Sequence, residues 1–316
     1  MLKFLEMDDQ TDAAVIEMGL LKPGDVSLAC KYFQPTIRIL LNIDVYHLQG
    51  CKTMENYIKA KAEIMDGMKT EDLLIINADD HNIKKIDMSH VAQKMTFGIY
   101  EPADYMAKEM EQTDKGIRFM LVYKNKEYPA LIPGYGKHNL YNALASIAAV
   151  HQIGLDIEEV IDKLSKFQHL ESHLQLLPGI KGCLIIDDSW NNTPLAMEGA
   201  LNVLKDTAKG KKIAALGSFP QIGRNQEAKE QYRYMASKVM EAKADKLIIL
   251  DEKAKEIAVN ARKMGMKPND IHYCYTEHAV YKTLNPILDS NTAVLFKFSK
   301  ILRKSLFKLI KSKIMK

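Results

Sequence analysis

The sequence predicts an α/β protein of two domains, the second a doubly wound, Rossmann-like parallel sheet. Three observations carry this. Beyond about residue 170, apolar strand-like runs near 182–187, 212–217, 246–250, 271–274 and 292–296 alternate with helical stretches, the rhythm of strand–helix–strand units. One of those runs, Ile185-Ile186, ends in two carboxylates, Asp187 and Asp188, where ligand sites of open α/β sheets gather. The third is Gly134-Tyr135-Gly136-Lys137-His138-Asn139-Leu140-Tyr141-Asn142, where glycines stop one strand pattern and an alanine-rich helix begins.

Length and composition set the bounds. A chain of 316 residues that is 47% apolar and 27% charged can build two hydrophobic cores and does not look disordered. Cys30, Cys51, Cys183 and Cys274 have no Cys-x-x-Cys spacing, so neither a zinc site nor a disulfide framework is expected, and a reducing cytoplasm fits best. Met1 to Glu6 is too short for a signal-peptide core, and no apolar run approaches the roughly 18 residues that cross a bilayer. The net charge of +4 is local: Lys300, Arg303, Lys304, Lys308, Lys311, Lys313 and Lys316 crowd the C-terminus without an acid, and subtracting those seven leaves −3 on residues 1–299. No nucleic-acid partner is expected, since no RNA motif accompanies the excess.

In chain order, Ala13 to Gly19 reads as a short buried strand ending in the carboxylate of Glu17, and Lys22-Pro23-Gly24-Asp25-Val26 as a turn into a helix. Ile37 to Ile43 is a second strand, followed by His47. Glu17 and His47 can thus share a sheet edge, as one oxygen ligand and a weaker imidazole contact for Mg2+, or stand there as an unrelated strand-end acid and loop histidine. Thr53 to Met68 is helical with Thr53 as its cap, and contains Lys61, which on pattern alone is a solvated lysine. Leu73 to Asp80 is a strand ending in Asn77-x-Asp79-Asp80. Residues 94–100, 117–123 and 127–132 are further strands, the last two a hairpin.

Asn139 and Asn142 fall on the first turn of a helix over about 138–152. Two side-chain amides beside free backbone N–H groups suit a nucleotide base or ribose; equally, Asn139 can cap the helix while Asn142 faces water. A helix over 156–166 leads to the domain boundary, placed at 169/170. At the other end, Leu302, Leu306, Leu309 and Ile310 share a helical face opposite lysines, a pattern that packs on its own domain or, alternatively, lies on an anionic membrane surface.

The combination Gly136-Lys137-His138-Asn139-x-x-Asn142-Ala143-Leu144-Ala145 with Asp187-Asp188-Ser189-Trp190-Asn191-x-x-Pro194 resembles the Mur ligases, ATP-dependent amide-forming enzymes of peptidoglycan synthesis, over nearly the whole chain. Within that family the pattern is similar to the branch that adds D-alanyl-D-alanine to the UDP-muramoyl tripeptide. The resemblance implies an incomplete central ATPase domain at 1–169 and the family's C-terminal domain at 170–316. It implies ATP and Mg2+ as cofactors, with Glu17 and His47 as Mg2+ contacts and a carbamylated Lys61 for a second Mg2+. Asn139, Asn142 and Asp188 would hold the nucleotide with Asp187 in support, and Lys297 would meet phosphate or the incoming amine. A UDP-muramoyl-peptide-like acid and an amino acid or dipeptide amine are the implied partners. Folylpolyglutamate and cyanophycin ligases are disfavoured by the Asp187 to Pro194 stretch.

Departures from the pattern are specific. No Gly-x-x-x-x-Gly-Lys-Ser/Thr loop occurs in the sequence, and the match begins near Leu5-Glu6-Met7, downstream of the place for that loop. A truncated ligase, poorly folded or inactive as the chain stands, is therefore expected; the alternative is a noncatalytic homologue that binds nucleotide or a partner. His173 stands where the family directs an arginine to the phosphates. Ser218 and Gln221 replace two acids in the loop Leu216 to Gly223, and Phe298 replaces the glycine of a Lys-Gly-Ser, leaving Lys297 and Ser299.

Overall fold

Residues 7–223, 225–301 and 304–315 are described by a computed structural model of the chain. Leu5, Glu6, Leu302, Arg303 and Lys316 of the sequence patterns above lie outside the described residues. The first half builds a six-stranded sheet, β1 (Ile37–Leu40), β2 (Leu73–Asn77), β3 (Gln93–Gly98), β4 (Tyr105–Thr113), β5 (Gly116–Tyr123) and β6 (Lys126–Ile132), in that spatial order. Strands β1 to β4 are parallel and β4 to β6 antiparallel. Helices α1 (Asp25–Phe33), α2 (Leu48–Cys51) and α3 (Met54–Ala62) precede β2; α4 (Lys137–Gln152) and α5 (Ile157–Ser165) follow β6. The alanines of α4 bring its backbone close to the sheet, so that Ala143, Ala145 and Ala148 share a core with Phe97, Tyr105 and Leu121. Thr53 does cap α3, accepting from Asn56 N at 3.1 Å.

The second half repeats the α/β plan. Strands β7 (Gln175–Pro178), β8 (Leu184–Asp188), β9 (Lys211–Leu216), β10 (Lys246–Ile249), β11 (Ile271–Tyr273) and β12 (Thr292–Lys297) form a sheet ordered β11-β10-β9-β12-β8-β7. Its strands are parallel except for the edge strand β7. Helices α6 (Pro194–Thr207), α7 (Gln226–Glu241) and α8 (Lys255–Lys263) cover one face; α9 (Glu277–Leu284) and α10 (Lys304–Leu309) cover the other. Alternate residues of the strands feed the two cores, Ile186 and Ala214 one, Ile185 and Ile213 the other. Leu306, Ile310 and Ile314, all buried, spend the apolar face of the terminal helix on this domain, so that face is not available to a membrane. Among the described residues no helix is long and apolar enough to cross one.

Three elements differ from expectation. Residues 13–19 form no strand; Val15 is fully exposed, and only Met18 and Leu20 pack, against the cluster around α1 and α3. A strand needs a ladder partner for its backbone, and this segment has none among the described residues. Strand β4 escapes the sequence because only Tyr105 to Ala107 face the core before the run turns polar. Strand β7 is short, with a proline on a sheet edge.

Candidate active site

Adjacent strand residues point to opposite faces, and this separates the two strand-end carboxylates. Asp188 is the register partner of Lys297 on the neighbouring parallel strand, and the pair closes at 2.7 Å. Lys297 is 2% exposed and also donates to the Asn191 carbonyl at 2.8 Å. An ammonium has three N–H groups, so one remains for the space in front of it. Asp187 faces the other way, fully buried. It accepts from Ser189 N and Oγ at 3.2 and 2.6 Å and pairs with Lys311 of the terminal helix at 3.0 Å. Asp187 thus sets the strand-end turn from behind.

That space is a cleft of about 1170 Å3 between the halves, lined by Asn139, Asn142, His173, Asp188 and Lys297 among others. Five of the residues singled out in the sequence therefore meet in one cavity. The start of α4 is bare: Gly136, at φ +87°, occupies the cap position and supplies no side chain to the first-turn N–H groups. A β-carbon there would lie 2.7 Å from His138 Cε1. Asn139 is not the cap; it turns back to the Tyr135 carbonyl at 2.7 Å. Asn142 is exposed toward the cleft. His173 is tied to the Glu171 carbonyl at 2.8 Å, its ring 5.5 Å from that of Trp190, which Lys300 covers at 4.4 Å.

His138, Asp44 and Glu198 also line the cleft and had no role in the sequence reading. His138 directly precedes Asn139 on the exposed first turn, which was the available signal. Burial raises the pKa of Asp44 against the pull of the Val45 N–H, and the carboxylates of Asp80 and Glu198 push it the same way. Asn77, Asp79 and Asp80 serve the scaffold: Asn77 holds the Leu41 carbonyl at 3.0 Å, Asp79 accepts from the backbone of Ile99, Tyr100 and Glu101, and Asp80 accepts from Ile43 N at 2.9 Å.

Glu17, His47 and Lys61 gather at a second corner. Burial depresses the Lys61 pKa, opposed by the nearby Glu17 carboxylate and Cys51. Burial, then the Lys61 charge, takes His47 down to about 4, so its imidazole is neutral at neutral pH. Its ring lies between those of Tyr46 and Tyr57, at 4.2 and 5.8 Å, and Nδ1 is buried without a hydrogen-bond partner. A carboxylate and a neutral imidazole are ligands that a hard divalent cation accepts, and burial disfavours the charged form of the lysine beside them. Glu17 is exposed, standing on the irregular segment rather than at a strand end.

The loop after β9 joins the two halves. Asn192 donates to the Gly217 and Ser218 carbonyls, Ser218 N donates to Asp251 at 2.8 Å, and the Gln221 carbonyl accepts from Gln49 N at 3.1 Å. Phe298 is fully buried in the core under α9 and α10, and glycine at 217 makes room: a β-carbon there would lie 2.7 Å from Phe298 Cβ.

Fold and cleft together define a two-domain α/β protein with a cleft at its strand ends lined by amide, imidazole and charged side chains. Two family profiles match it in tandem, Mur ligase middle domain over residues 1–150 and Mur ligase, glutamate ligase domain over 174–299. The chain belongs to the Mur ligase family. It is 29% identical over 273 residues to the UDP-N-acetylmuramoyl-tripeptide–D-alanyl-D-alanine ligase of Bacillus subtilis, covering 86% of this chain and 58% of that protein. A Clostridium acetobutylicum UDP-N-acetylmuramoyl-L-alanyl-D-glutamate–2,6-diaminopimelate ligase is 31% identical over 182 residues, 57% of this chain and 37% of that one. Among solved structures, MurF from Acinetobacter baumannii superposes with a TM-score of 0.86 at 22% identity, over 98% of this chain and 67% of that one. MurF from Thermotoga maritima, in complex with ADP, superposes at 0.80 and 22% identity, over 94% and 66%. The chain thus spans about three fifths of the Bacillus relative.

Proposed function

We propose that this chain forms the nucleotide- and amine-handling part of an ATP-dependent carboxylate–amine ligase, acting in the cytoplasm on peptidoglycan precursors. Its halves act as units of 1–169 and 170–316 that close on the cleft. The observation that carries the reading is the buried Lys297–Asp188 pair facing Asn139 and Asn142 across that cleft. The bare start of α4 and the free N–H of Lys297 suit the phosphate and ribose of a nucleotide. Asn139 and Asn142 offer donors and acceptors to base or ribose, with His173 beside them. Asp187 acts on the nucleotide only through the turn it holds.

Glu17, His47 and a carbamylated Lys61 would hold Mg2+, whose contribution when bound is to stabilise charge on phosphoryl and acyl oxygens. The chain's own residues then orient the reactants: Lys297 draws developing negative charge toward the second domain, and closure excludes water from the acyl phosphate that the family's chemistry uses. The acid is a UDP-muramoyl-peptide and the amine a dipeptide of the D-alanyl-D-alanine kind, on the strength of the tripeptide ligases among the relatives.

A second reading, a noncatalytic nucleotide-binding homologue, draws on His173, Ser218, Gln221 and Phe298, which depart from the family's motifs. Calorimetric titration of ADP and ATP with Mg2+ into the 316-residue chain tests the shared part. Binding is expected, weakened about tenfold or more in Asp188→Ala through loss of a charged hydrogen bond; no binding by the wild type overturns the nucleotide site. Phosphate release dependent on UDP-muramoyl tripeptide and D-alanyl-D-alanine separates ligase from binder.

A further inference from the structure

The cation reading leaves one residue of the second domain unused. Gln221 has φ +64°, a left-handed conformation that a non-glycine residue adopts at a cost. The loop accepts that cost where its carbonyl meets Gln49 N of α2, two residues beyond His47. Gly223 packs on the same turn, where a β-carbon would lie 3.8 Å from Gln49 N. The Gln221 side chain lies against the His47 imidazole. Yet His47 Nδ1 and Gln221 Oε1, both buried, complete no hydrogen bond of ordinary geometry.

Leaving two buried polar atoms unpaired is costly, about 1–3 kcal/mol each in general. These two are complementary. An imidazole that binds a cation through Nε2 carries its proton on Nδ1 and almost always donates it to an acceptor that fixes the ring. Among the described residues, His47 Nδ1 has no acceptor beyond the Gln221 side chain that lies against it, and Gln221 Oε1 no donor beyond His47. Around the imidazole, Tyr46 and Tyr57 present rings, Lys61 is a cation or an amine, and the Glu17 carboxylate is the oxygen ligand this reading assigns to the cation itself.

We propose that Gln221 is a positioning residue for a divalent cation at His47: its side-chain oxygen accepts from Nδ1–H, aims Nε2 at the cation, and so couples cation binding to seating of the second domain's 216–223 loop on α2. This rests on the reading that Glu17, His47 and Lys61 hold the cation. Coupling is reciprocal, so a bound cation tightens the Gln49–Gln221 contact as that contact tightens the cation. A glutamate at the position, as the resemblance implies for relatives, would accept the same hydrogen bond.

The test uses Mn2+ as the probe on the 316-residue chain in bicarbonate buffer, following free Mn2+ by electron paramagnetic resonance and deuterium uptake in the peptide containing Gln49. Gln221→Ala is expected to bind Mn2+ about tenfold more weakly, the usual cost of losing such a partner. Mn2+ should protect the Gln49 amide in the wild type and not in this variant. Gln221→Glu should keep both behaviours, which sets a positioning role apart from loss of fold. Equal Mn2+ affinity in wild type and Gln221→Ala, or wild-type protection at Gln49 that Mn2+ leaves unchanged, overturns the role of Gln221 alone. No Mn2+ binding by the wild type overturns the cation reading and this inference with it.

Discussion

The nucleotide side of the cleft and the cation corner are built differently. At the first, Asp188 and Lys297 are register partners on adjacent parallel strands, paired at 2.7 Å, and Asp187 behind them meets Lys311 at 3.0 Å. At the second, Glu17 is exposed on irregular chain, His47 has a left-handed backbone, and two polar atoms are buried unpaired. A site carried on sheet strands is set by the same hydrogen bonds that make the sheet. One carried on loops from two domains gains its geometry only when those loops and a ligand settle together. Mutations on the strand side should therefore appear as stability, and at the corner as binding and pH dependence.

The largest expected effect breaks the strand side. Lys297→Met keeps the volume but takes the ammonium away from the Asn191 carbonyl and from the Asp188 carboxylate, which is 14% exposed and keeps, among the described residues, only the Leu174 N–H at 3.3 Å. Stripping one partner from a buried pair costs about 3–5 kcal/mol, and Asp188's opening to the cleft puts this case near the lower figure. Urea denaturation should show it as a lower midpoint with unchanged slope. A loss under about 1 kcal/mol would mean that water, not Lys297, balances Asp188.

Gly217→Ala comes next and probes the loop that joins the regions. The new methyl meets Phe298 Cβ at 2.7 Å and Asp251 Oδ2 at 3.2 Å, and the backbone on which Ser218 N–H meets Asp251 must shift. Overpacking of this kind costs about 1–3 kcal/mol. The double variant Gly217→Ala with Phe298→Gly should stay less stable than wild type, because Phe298 fills the core, but by less than the sum of the two single losses, because removing the Phe298 side chain relieves the clash.

The corner should announce itself through pH. His47 titrates near 4 when folded against an ordinary 6.5, so between those values the unfolded chain holds more protons. Stability then falls as pH drops from 6.5 toward 4 and is fully retained above 6.5. Allowing for partial exposure, the contribution is about 2 kcal/mol. His47→Gln should flatten the wild-type decline between pH 6.5 and 4.5 in denaturation curves; parallel curves would show that another group carries it.

Legibility in the sequence follows the same division. The strand-end acids, the capped α3 and the β5–β6 hairpin could be read because apolar runs, alternation and short-range turn chemistry write them locally, whereas Lys297 stood out only by its match to the family's Lys-Gly-Ser. Positions 13–19 could not: the apolar run looks like a strand, but pairing is a property of neighbours, and none is present among the described residues. Asp187 and Asp188 read as one pair, yet the pleat sends them to opposite faces, one to the cleft and one to Lys311 of the terminal helix. Gln221 was legible only as a missing acid, because its approach to His47 spans two domains and about half the chain.

The smallest effect sharpens the comparison from within a single helix. Asn139 and Asn142 share the first turn of α4, yet Asn139 is committed to the Tyr135 carbonyl at 2.7 Å whereas Asn142 faces the cleft. Asn139→Ala should cost about 1 kcal/mol of stability through that lost hydrogen bond. Asn142→Ala, at an exposed position, should leave stability within about 0.5 kcal/mol and weaken nucleotide binding instead. Thermal denaturation paired with ADP titration separates them. Equal stability losses would place both asparagines in the scaffold, and would move the base and ribose contacts to His138 and His173 on the cleft wall.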